Sequence, residues 1–254
     1  MRLLGVNVEM LTTIGGDAYG EHMRSDCERL GIGLGRARYV PGERSSTYIC
    51  LSGPDGDMAL GLSDTDITRH ITPEYIEENL GLLSRAALVV FDGNLSEDAM
   101  DCLTSRCTAP LFADPVSAAK AKKLIPFLDR IHTIKPNTLE AQVLTGCNDP
   151  AAAAEELVYL GVKRAFVSDG ANGIFCAHGL DSYHIPAYKT RLVNATGGGD
   201  AAMAALCRSF IDGLDIETSA RYALAAGALA VECGETINPA LSLEAVRKRI
   251  AAGI

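Results

Sequence analysis

The amino-acid sequence predicts an α/β fold with a mainly parallel central sheet and helices on both faces. Short apolar segments such as ALVVFDG, LFADP and RAFVSDG alternate with amphipathic helical stretches, as is typical of parallel sheets. The chain has 254 residues, of which 48% are hydrophobic, and this is enough to bury the core of one large domain. A short β-hairpin is the exception to the alternation.

The predicted elements follow one another along the chain. VNVEMLTTIG is a predicted strand, and an amphipathic helix follows it and ends at Gly31. RIHTIKPN adds another apolar strand to the three quoted above. The spacing of apolar residues predicts further helices over Pro73–Leu83, Ser96–Arg106, Ala118–Leu128, Thr138–Leu144, Ala151–Leu160, Gly198–Ile211, Ile216–Val231 and Leu243–Ile250.

The hairpin lies in the segment SSTYICLSGPDGDMALGLS, from Ser45 to Ser63, which predicts two strands about a GPDG turn. Residues Tyr48 to Leu51 form a continuous apolar run, so we expect both faces of the hairpin to be covered. The hairpin is either a lid over a ligand with a partner subunit behind it, or an edge hairpin that packs on the parent domain. The pattern alone favours neither.

Composition excludes several classes of partner. The net charge is −9 and no dense run of Lys or Arg occurs, which argues against nucleic acids and anionic membranes. No uninterrupted apolar stretch reaches the roughly 18 residues of a membrane span, and the first residues lack the features of a signal peptide. The eight cysteines form no CxxC pair, so we expect a reducing, cytoplasmic compartment.

The segment VNATGGGDAAMAAL places three glycines and an aspartate at the start of an apolar helix. Each glycine within a helix costs about 0.5–1 kcal/mol relative to alanine, so three in a row need a reason. The bare backbone of Gly197–Gly199 would let its N–H groups close on an anion, with a phosphoryl group the expected ligand. Asp200 would repel that group unless it takes a proton, as in phosphoryl transfer to an alcohol. The structural alternative is a cap by Thr196 or Asp200, with glycines for turning.

The segment NATGGGDAAMAAL resembles the signature of the ribokinase (PfkB) family, whose usual form is D-T-x-G-A-G-D. The resemblance implies a ribokinase-like fold over residues 1–254 as a single kinase domain, with the hairpin over about 38–64 as a lid. It implies ATP-dependent phosphorylation of a sugar or nucleoside hydroxyl, with Asp200 as catalytic base and the Gly197–Gly199 backbone as anion hole. A homodimer formed through the lid is also implied.

Two further segments carry the resemblance into the nucleotide site. KPNTLEAQVLTG resembles the N-x-x-E element of the family, which places Asn137 and Glu140 near ATP and, indirectly, Mg²⁺. VSDGANG resembles the nucleotide segment, so Ser168, Gly170 and Gly173 would line the ATP site. Asn137 and Glu140 also fit a capping box, and VSDGANG also fits a plain strand–turn–strand.

Substrate contacts are expected at Thr47 in the hairpin, Asn94 in DGNLSED and Asp114 in FADPVS. Asp114 lines the cleft or starts a turn before Pro115, and Asn94 lines the cleft or caps the next helix. The small-molecule substrate implied by the resemblance is a sugar or a nucleoside.

The resemblance implies a cation site, at which this sequence departs from the family pattern. Asn194 stands where the family has an Asp that helps hold a monovalent cation in several members. An amide can coordinate through its oxygen but brings no charge, so Asn194 and Thr196 are candidate ligands of K⁺.

Within the family, three stretches are similar to bacterial pseudouridine kinases: FADPVSAAKAKKLIPFLDRIHTIKPNTLEAQVLTG, VNATGGGDA and CGETINPALS. The implied reaction moves the γ-phosphate of ATP to the 5′-hydroxyl of pseudouridine. Another sugar or nucleoside kinase of the family is the alternative.

The resemblance begins at MRLLGVN, which matches the end of a helix that follows the first strand and substrate loop of family members. On that comparison the first strand and the substrate-loop segment are missing. We therefore expect weak ATP binding and poor or no phosphorylation of pseudouridine. A different class of function follows as an alternative, namely a nucleotide-binding protein without kinase turnover.

Overall fold

A computed structural model describes residues 1–52 and 58–253 of the chain. The strands in this part are β1 (Thr13–Gly15), β2 (Arg38–Val40), β3 (Thr47–Ser52), β4 (Met58–Asp64), β5 (Val89–Asp92), β6 (Leu111–Asp114), β7 (Thr133–Ile134), β8 (Arg164–Ser168), β9 (Ile174–His178) and β10 (Asp181–Ile185). The helices are α1 (Ala18–Leu30), α2 (Pro73–Leu83), α3 (Glu97–Arg106), α4 (Ala118–Ala121), α5 (Thr138–Thr145), α6 (Pro150–Tyr159), α7 (Gly198–Ile211), α8 (Ile216–Val231) and α9 (Leu243–Ala252).

The central sheet has six strands in the order β10-β9-β8-β7-β6-β5. Strands β5 to β8 pair in parallel, whereas β9 pairs antiparallel with both β8 and β10. The predicted α/β fold with parallel strands is therefore confirmed, and the antiparallel edge makes the sheet mixed. The carboxyl ends of β5 to β8 lie along one edge, which is where open α/β sheets bind ligands.

Helices cover both faces of the sheet, as predicted. Along β6, Leu111 and Ala113 face the cluster completed by α2, α3, α5 and α6, whereas Phe112 between them faces α7 and α8. All three side chains are buried. A further cluster joins α7, α8 and α9 to Leu4. No helix in the part of the chain that the structure describes is long and apolar enough to span a membrane.

The N-terminal strand differs from the prediction. Of the predicted strand VNVEMLTTIG, Thr13–Gly15 forms the strand β1, and Glu9 makes an isolated parallel bridge with Gly33. Strand β1 pairs in parallel with β2 in a separate two-stranded sheet. The lid boundary of 38–64 is corrected accordingly, because Arg38–Val40 belongs to that sheet. A Cβ on Gly15 or Gly16 would overlap the backbone of residues 41–45, so the glycines permit a close approach of these segments.

A hydrogen-bonded cluster joins α1 to the start of the hairpin. Asp17 caps α1 by accepting the N–H of Gly20, and its carboxylate also accepts the N–H and hydroxyl of Ser45. The buried Ser45 hydroxyl in turn accepts the N–H of Gly15 at 3.0 Å. Because each of these groups is satisfied by the next, the base of the hairpin is fixed to β1 and α1.

The predicted helix over Ala118–Leu128 is shorter than expected. The α-helix ends at Ala121, and a 3₁₀-helix continues over Lys122–Arg130. Pro126 lies within that stretch and has no N–H to donate, which breaks the α-helical hydrogen-bond pattern. The predicted bounds of α2, α7 and α8 agree with the structure.

The hairpin β3–β4 exposes apolar side chains on both faces. Tyr48, Ile49, Leu51, Leu60 and Leu62 are each 49–54% exposed. The predicted GPDG turn lies outside the described residues. Ile49, Leu51, Leu60 and Leu62 share one face of the hairpin, and this face is about half accessible in this chain. The lid and the edge-hairpin interpretations both stay predictions.

Candidate active site

The candidate site lies where the carboxyl ends of β6, β7 and β8 meet the N-terminus of α7. Asp114 is the last residue of β6, Ser168 is the last residue of β8, and Lys135 directly follows β7. Parallel pairing of these strands brings the three residues to the same edge of the sheet. The sequence predicted two of them as site residues and missed Lys135.

The N-terminus of α7 has no side-chain cap. Its N-cap residue is Gly197, and no side chain accepts a hydrogen bond from its first turn. The other eight α-helices of the described part each have a Ser, Thr, Asp or Asn cap. The free N–H groups and the positive end of the helix dipole at α7 therefore suit an anion.

The three glycines at this terminus have different structural reasons. Gly197 has φ +88°, and a Cβ there would overlap the carbonyl oxygen of Thr236. A Cβ on Gly198 would lie 2.9 Å from Val231 Cγ1, because α7 and α8 pack closely there. A Cβ on Gly199 would meet Lys135 Nζ at 3.5 Å, so the third glycine faces the cleft. The glycines thus serve packing and also keep side chains away from the uncapped N–H groups.

Asp200 lies in the first turn of α7 and remains exposed to solvent. Desolvation raises the pKa of its carboxyl group, the nearby Asp114 raises it further, and Lys135 opposes both. Across residues 1–52 and 58–253, no protein group donates a hydrogen bond to this carboxylate within bonding distance. The arrangement suits a group that accepts a proton from a bound molecule.

Lys135 is a buried cation within this acidic cleft. Its side chain is 6% exposed, and its ammonium lies 3.1 Å from Asp114 Oδ2. Asp114 also uses its other oxygen, Oδ1, to accept the N–H of Val116. Asp114 therefore starts the turn expected beside Pro115, and its other oxygen faces Lys135. The sequence signal that could have identified Lys135 as a site residue is its place directly after an apolar strand and shortly before a helix cap.

Asn137 and Glu140 form the capping box of α5. Asn137 Oδ1 accepts the N–H of Glu140, and Glu140 Oε2 accepts the N–H of Asn137, both at 2.9 Å. The capping interpretation is therefore confirmed. Glu140 is buried, and desolvation raises the pKa of its carboxyl group. Its carboxylate and that of Asp114 are close enough to interact, so the box also contributes charge to the cleft.

The donor set suits Mg²⁺ held mainly by a nucleotide. No group of three or more His, Cys, Asp or Glu in the described part is placed to hold a metal ion by itself. Carboxylates at the cleft are the hard oxygen ligands that Mg²⁺ prefers, and this ion commonly keeps waters and substrate phosphates as its other ligands. Glu140, with Asp114, therefore fits an indirect role.

The segment VSDGANG connects β8 to β9 by a tight turn, as the strand–turn–strand alternative predicted. Ser168 bridges to Asn137 and donates its hydroxyl to the Pro136 carbonyl. Gly173 has φ +107°, and a Cβ there would overlap the Ile185 carbonyl oxygen. Gly170 has φ +52° with open space where a Cβ would lie. Ser168 and Asn137 thus lie side by side, and Gly170 leaves the turn free of a side chain.

Asn94 belongs to a polar network beside the cleft. Its side-chain amide donates to Asp92 Oδ2, and its oxygen accepts from the Lys120 ammonium. The next helix, α3, is capped by Ser96, so the interpretation of Asn94 as its cap is wrong. Asn94 also lines an open cavity with Thr65 and other residues that follow the hairpin.

Thr47 lies at the base of the hairpin and is half-buried. Its hydroxyl donates to the Ser45 carbonyl at 3.4 Å. Among the described residues, the hydrogen bond of the Thr47 side chain stays within the base of the hairpin and does not reach α7.

Asn194 lies shortly before α7, and two hydrogen bonds orient its side-chain amide. Its Oδ1 accepts the N–H of Thr196 at 3.0 Å, which orients the amide, and its Nδ2 points to the Gly234 carbonyl at 3.4 Å. Because an amide oxygen has two lone pairs, Asn194 Oδ1 keeps one, and the K⁺ site at Asn194 and Thr196 stays a prediction.

Comparison with known proteins agrees with this geometry. The model of the pfkB family of carbohydrate kinases matches residues 1–243. The chain belongs to the pfkB family. It is 35% identical to the pseudouridine kinase of Escherichia coli over 251 residues, which cover 96% of this chain and 80% of that protein. As a family member it is a phosphotransferase that acts on a hydroxyl group.

Solved structures show the same fold. A carbohydrate kinase from Agrobacterium tumefaciens is 25% identical with a TM-score of 0.84, over 98% of this chain and 82% of that one. A ribokinase from Arabidopsis thaliana, complexed with ribose and ATP, has a TM-score of 0.84 over 98% of this chain and 83% of that one, at 21% identity. The ribokinase-like fold is thereby established.

The close packing at Gly197 predicts that Gly197→Ala weakens both folding and ATP binding. The new Cβ would overlap the Thr236 carbonyl and require an unfavourable positive φ, so we expect a loss of more than about 1 kcal/mol in unfolding free energy. Gly213→Ala is the matched control, since Gly213 also has a positive φ (+69°) but open space around it. Denaturant titration and ATP titration of both variants provide the measurement. Equal losses in the two variants would contradict the packing argument.

Proposed function

We propose that the protein phosphorylates the 5′-hydroxyl of pseudouridine with ATP. The observation that carries the chemistry is Asp200, free of protein hydrogen-bond donors, beside the one α-helix N-terminus of the described part that has no side-chain cap. Identity of 35% with the pseudouridine kinase of Escherichia coli supports the choice of substrate. A related sugar or nucleoside kinase activity is the alternative.

The proposed reaction assigns a task to each part of the site. The substrate oxygen forms a bond to the γ-phosphorus while the bond from that phosphorus to the β,γ-bridging oxygen breaks, and ADP leaves. Asp200 takes the proton of the hydroxyl, and the N–H groups at the start of α7 stabilise charge on the transferred group. Mg²⁺ bound with the nucleotide would neutralise phosphate charge, with Glu140 on its water shell. Asn137 and Ser168 lie where the nucleotide would pass, and Asn94 and Asp114 face the substrate.

A substrate panel tests this proposal directly. Pseudouridine, uridine, ribose, fructose and adenosine are compared with Mg-ATP, and we expect the highest kcat/KM for pseudouridine. A tenfold higher kcat/KM for ribose or fructose would show that the proposed substrate is wrong but that the proposed kinase activity is right. ATP binding without turnover on any member would favour a nucleotide-binding protein without kinase turnover.

The role of Asp200 predicts that Asp200→Asn lowers kcat by about 10²–10⁴, the range for a lost general base. ATP affinity should remain, because the N–H groups of α7 remain. Since the raised pKa means that Asp200 is protonated at higher pH than usual, wild-type kcat/KM should fall as the pH decreases through that pKa. Asp181→Asn, an exposed carboxylate on β10, is the control and should leave turnover unchanged. Turnover of Asp200→Asn near the wild-type rate would contradict the role.

We further propose that a second copy of the chain covers the hairpin β3–β4. The support is that Ile49, Leu51, Leu60 and Leu62, which share one face of the hairpin, are about half exposed. Wild-type protein should then sediment as a dimer, and Leu62→Lys should sediment as a monomer because it places a charge within the apolar face. Tyr159→Lys, at an apolar side chain 84% exposed on α6, is the control and should remain dimeric. A monomeric wild type would contradict the proposal.

A further inference from the structure

Lys135 occupies a position between Asp114 and the start of α7. Lys135 as a whole is 5% exposed, and its ammonium lies 3.1 Å from Asp114 Oδ2. On its other side, the ammonium lies 3.5 Å from the point where a Cβ of Gly199 would be. Because Gly199 has no side chain, no Cβ lies between the ammonium of Lys135 and the uncapped first turn of the helix.

The charges around Lys135 are mainly negative. Asp114 raises the pKa of both Glu140 and Asp200, because the carboxylates are close enough to repel one another. Lys135 lowers the pKa of both groups, since its positive charge attracts them. Such an excess of carboxylates would repel an incoming polyphosphate. A lysine ammonium is a compact charge on a flexible stem, and lysines commonly bind phosphates in phosphoryl-transfer sites.

We propose that Lys135 is a catalytic residue whose ammonium leaves Asp114 and contacts the terminal phosphoryl group of ATP at the N-terminus of α7. The proposal rests on the phosphotransfer function proposed above. Lys135 would then stabilise the charge of the transferred group beside the Gly199 N–H. Asp114 would keep its hydrogen bond from Val116 and be free to accept a hydroxyl of the second substrate.

The first test compares the affinities of ATP and ADP by calorimetry. A charge-assisted hydrogen bond contributes roughly 1.5–3 kcal/mol, so Lys135→Met should weaken ATP binding about tenfold or more. Binding of ADP, which lacks the terminal group, should change by less than about twofold on the same reasoning. Lys122→Met removes an exposed lysine from the 3₁₀ segment after α4 and should behave as wild type. Equal losses for ATP and ADP, or no loss, would overturn the proposal.

A second variant separates this role from a structural ion pair. Asp114→Asn keeps Lys135 but removes its ion-pair partner, so ATP should bind more tightly than to wild type. If the pair were merely structural, Asp114→Asn would weaken ATP binding or leave it unchanged, and either result overturns the proposal. This variant also decides the matter if Lys135→Met does not fold.

The failure of this proposal is distinguishable from failure of the proposed function, because nucleotide titration needs no second substrate. One outcome is that Lys135→Met weakens ATP binding but not ADP binding, while the wild type turns over no member of the substrate panel. This result would support the contact of Lys135 with the terminal phosphoryl group and overturn the proposed substrate. Wild-type turnover on pseudouridine together with unchanged ATP binding in Lys135→Met would support the proposed function and overturn the role of Lys135. A wild type that binds neither nucleotide would overturn both.

Discussion

The close approach of α7 to its neighbours is the constraint on which the site depends. Gly197 is pressed against the Thr236 carbonyl and Gly198 against Val231, so neither position can accommodate a side chain. Elsewhere in the described part, α-helices begin with a capping side chain, and α7 alone begins with a glycine instead. Packing therefore creates a helix end that suits an anion, since the same contacts that exclude a cap leave the N–H groups free.

The carboxylates around that helix end are unfavourable for stability at neutral pH. Desolvation raises the pKa of both Asp200 and Glu140, so the folded chain binds their protons more tightly than the unfolded chain does. By linkage, the contribution of these two groups to stability decreases as the pH rises through the range between their ordinary and raised values. Lys135 reduces this effect at both sites. Such an arrangement is expected where charge serves chemistry rather than folding.

Sequence reasoning predicted what local patterns determine. The strands β5 to β8, the bounds of α7 and α8, and the capping box of Asn137 follow from periodicity and capping chemistry, which involve residues close together in the chain. The pairing of β1 with β2, the 3₁₀ stretch around Pro126 and the exposed faces of the hairpin depend on tertiary contacts. Lys135 was missed for the same reason, since its significance comes from Asp114 and Gly199, which are distant in the sequence.

The loop after β6 shows how backbone and charge are coupled at the site. Val116 has φ +70°, a conformation that is unfavourable for a β-branched residue, and it is the one such non-glycine residue among those described. A strained residue of this kind costs on the order of 1–3 kcal/mol and persists only where its surroundings hold it. Asp114 supplies part of that restraint by accepting the Val116 N–H, while its other oxygen holds Lys135. One carboxylate thus fixes both the strained turn after β6 and the ammonium of Lys135, so a change in the partner of Lys135 would be felt in that turn.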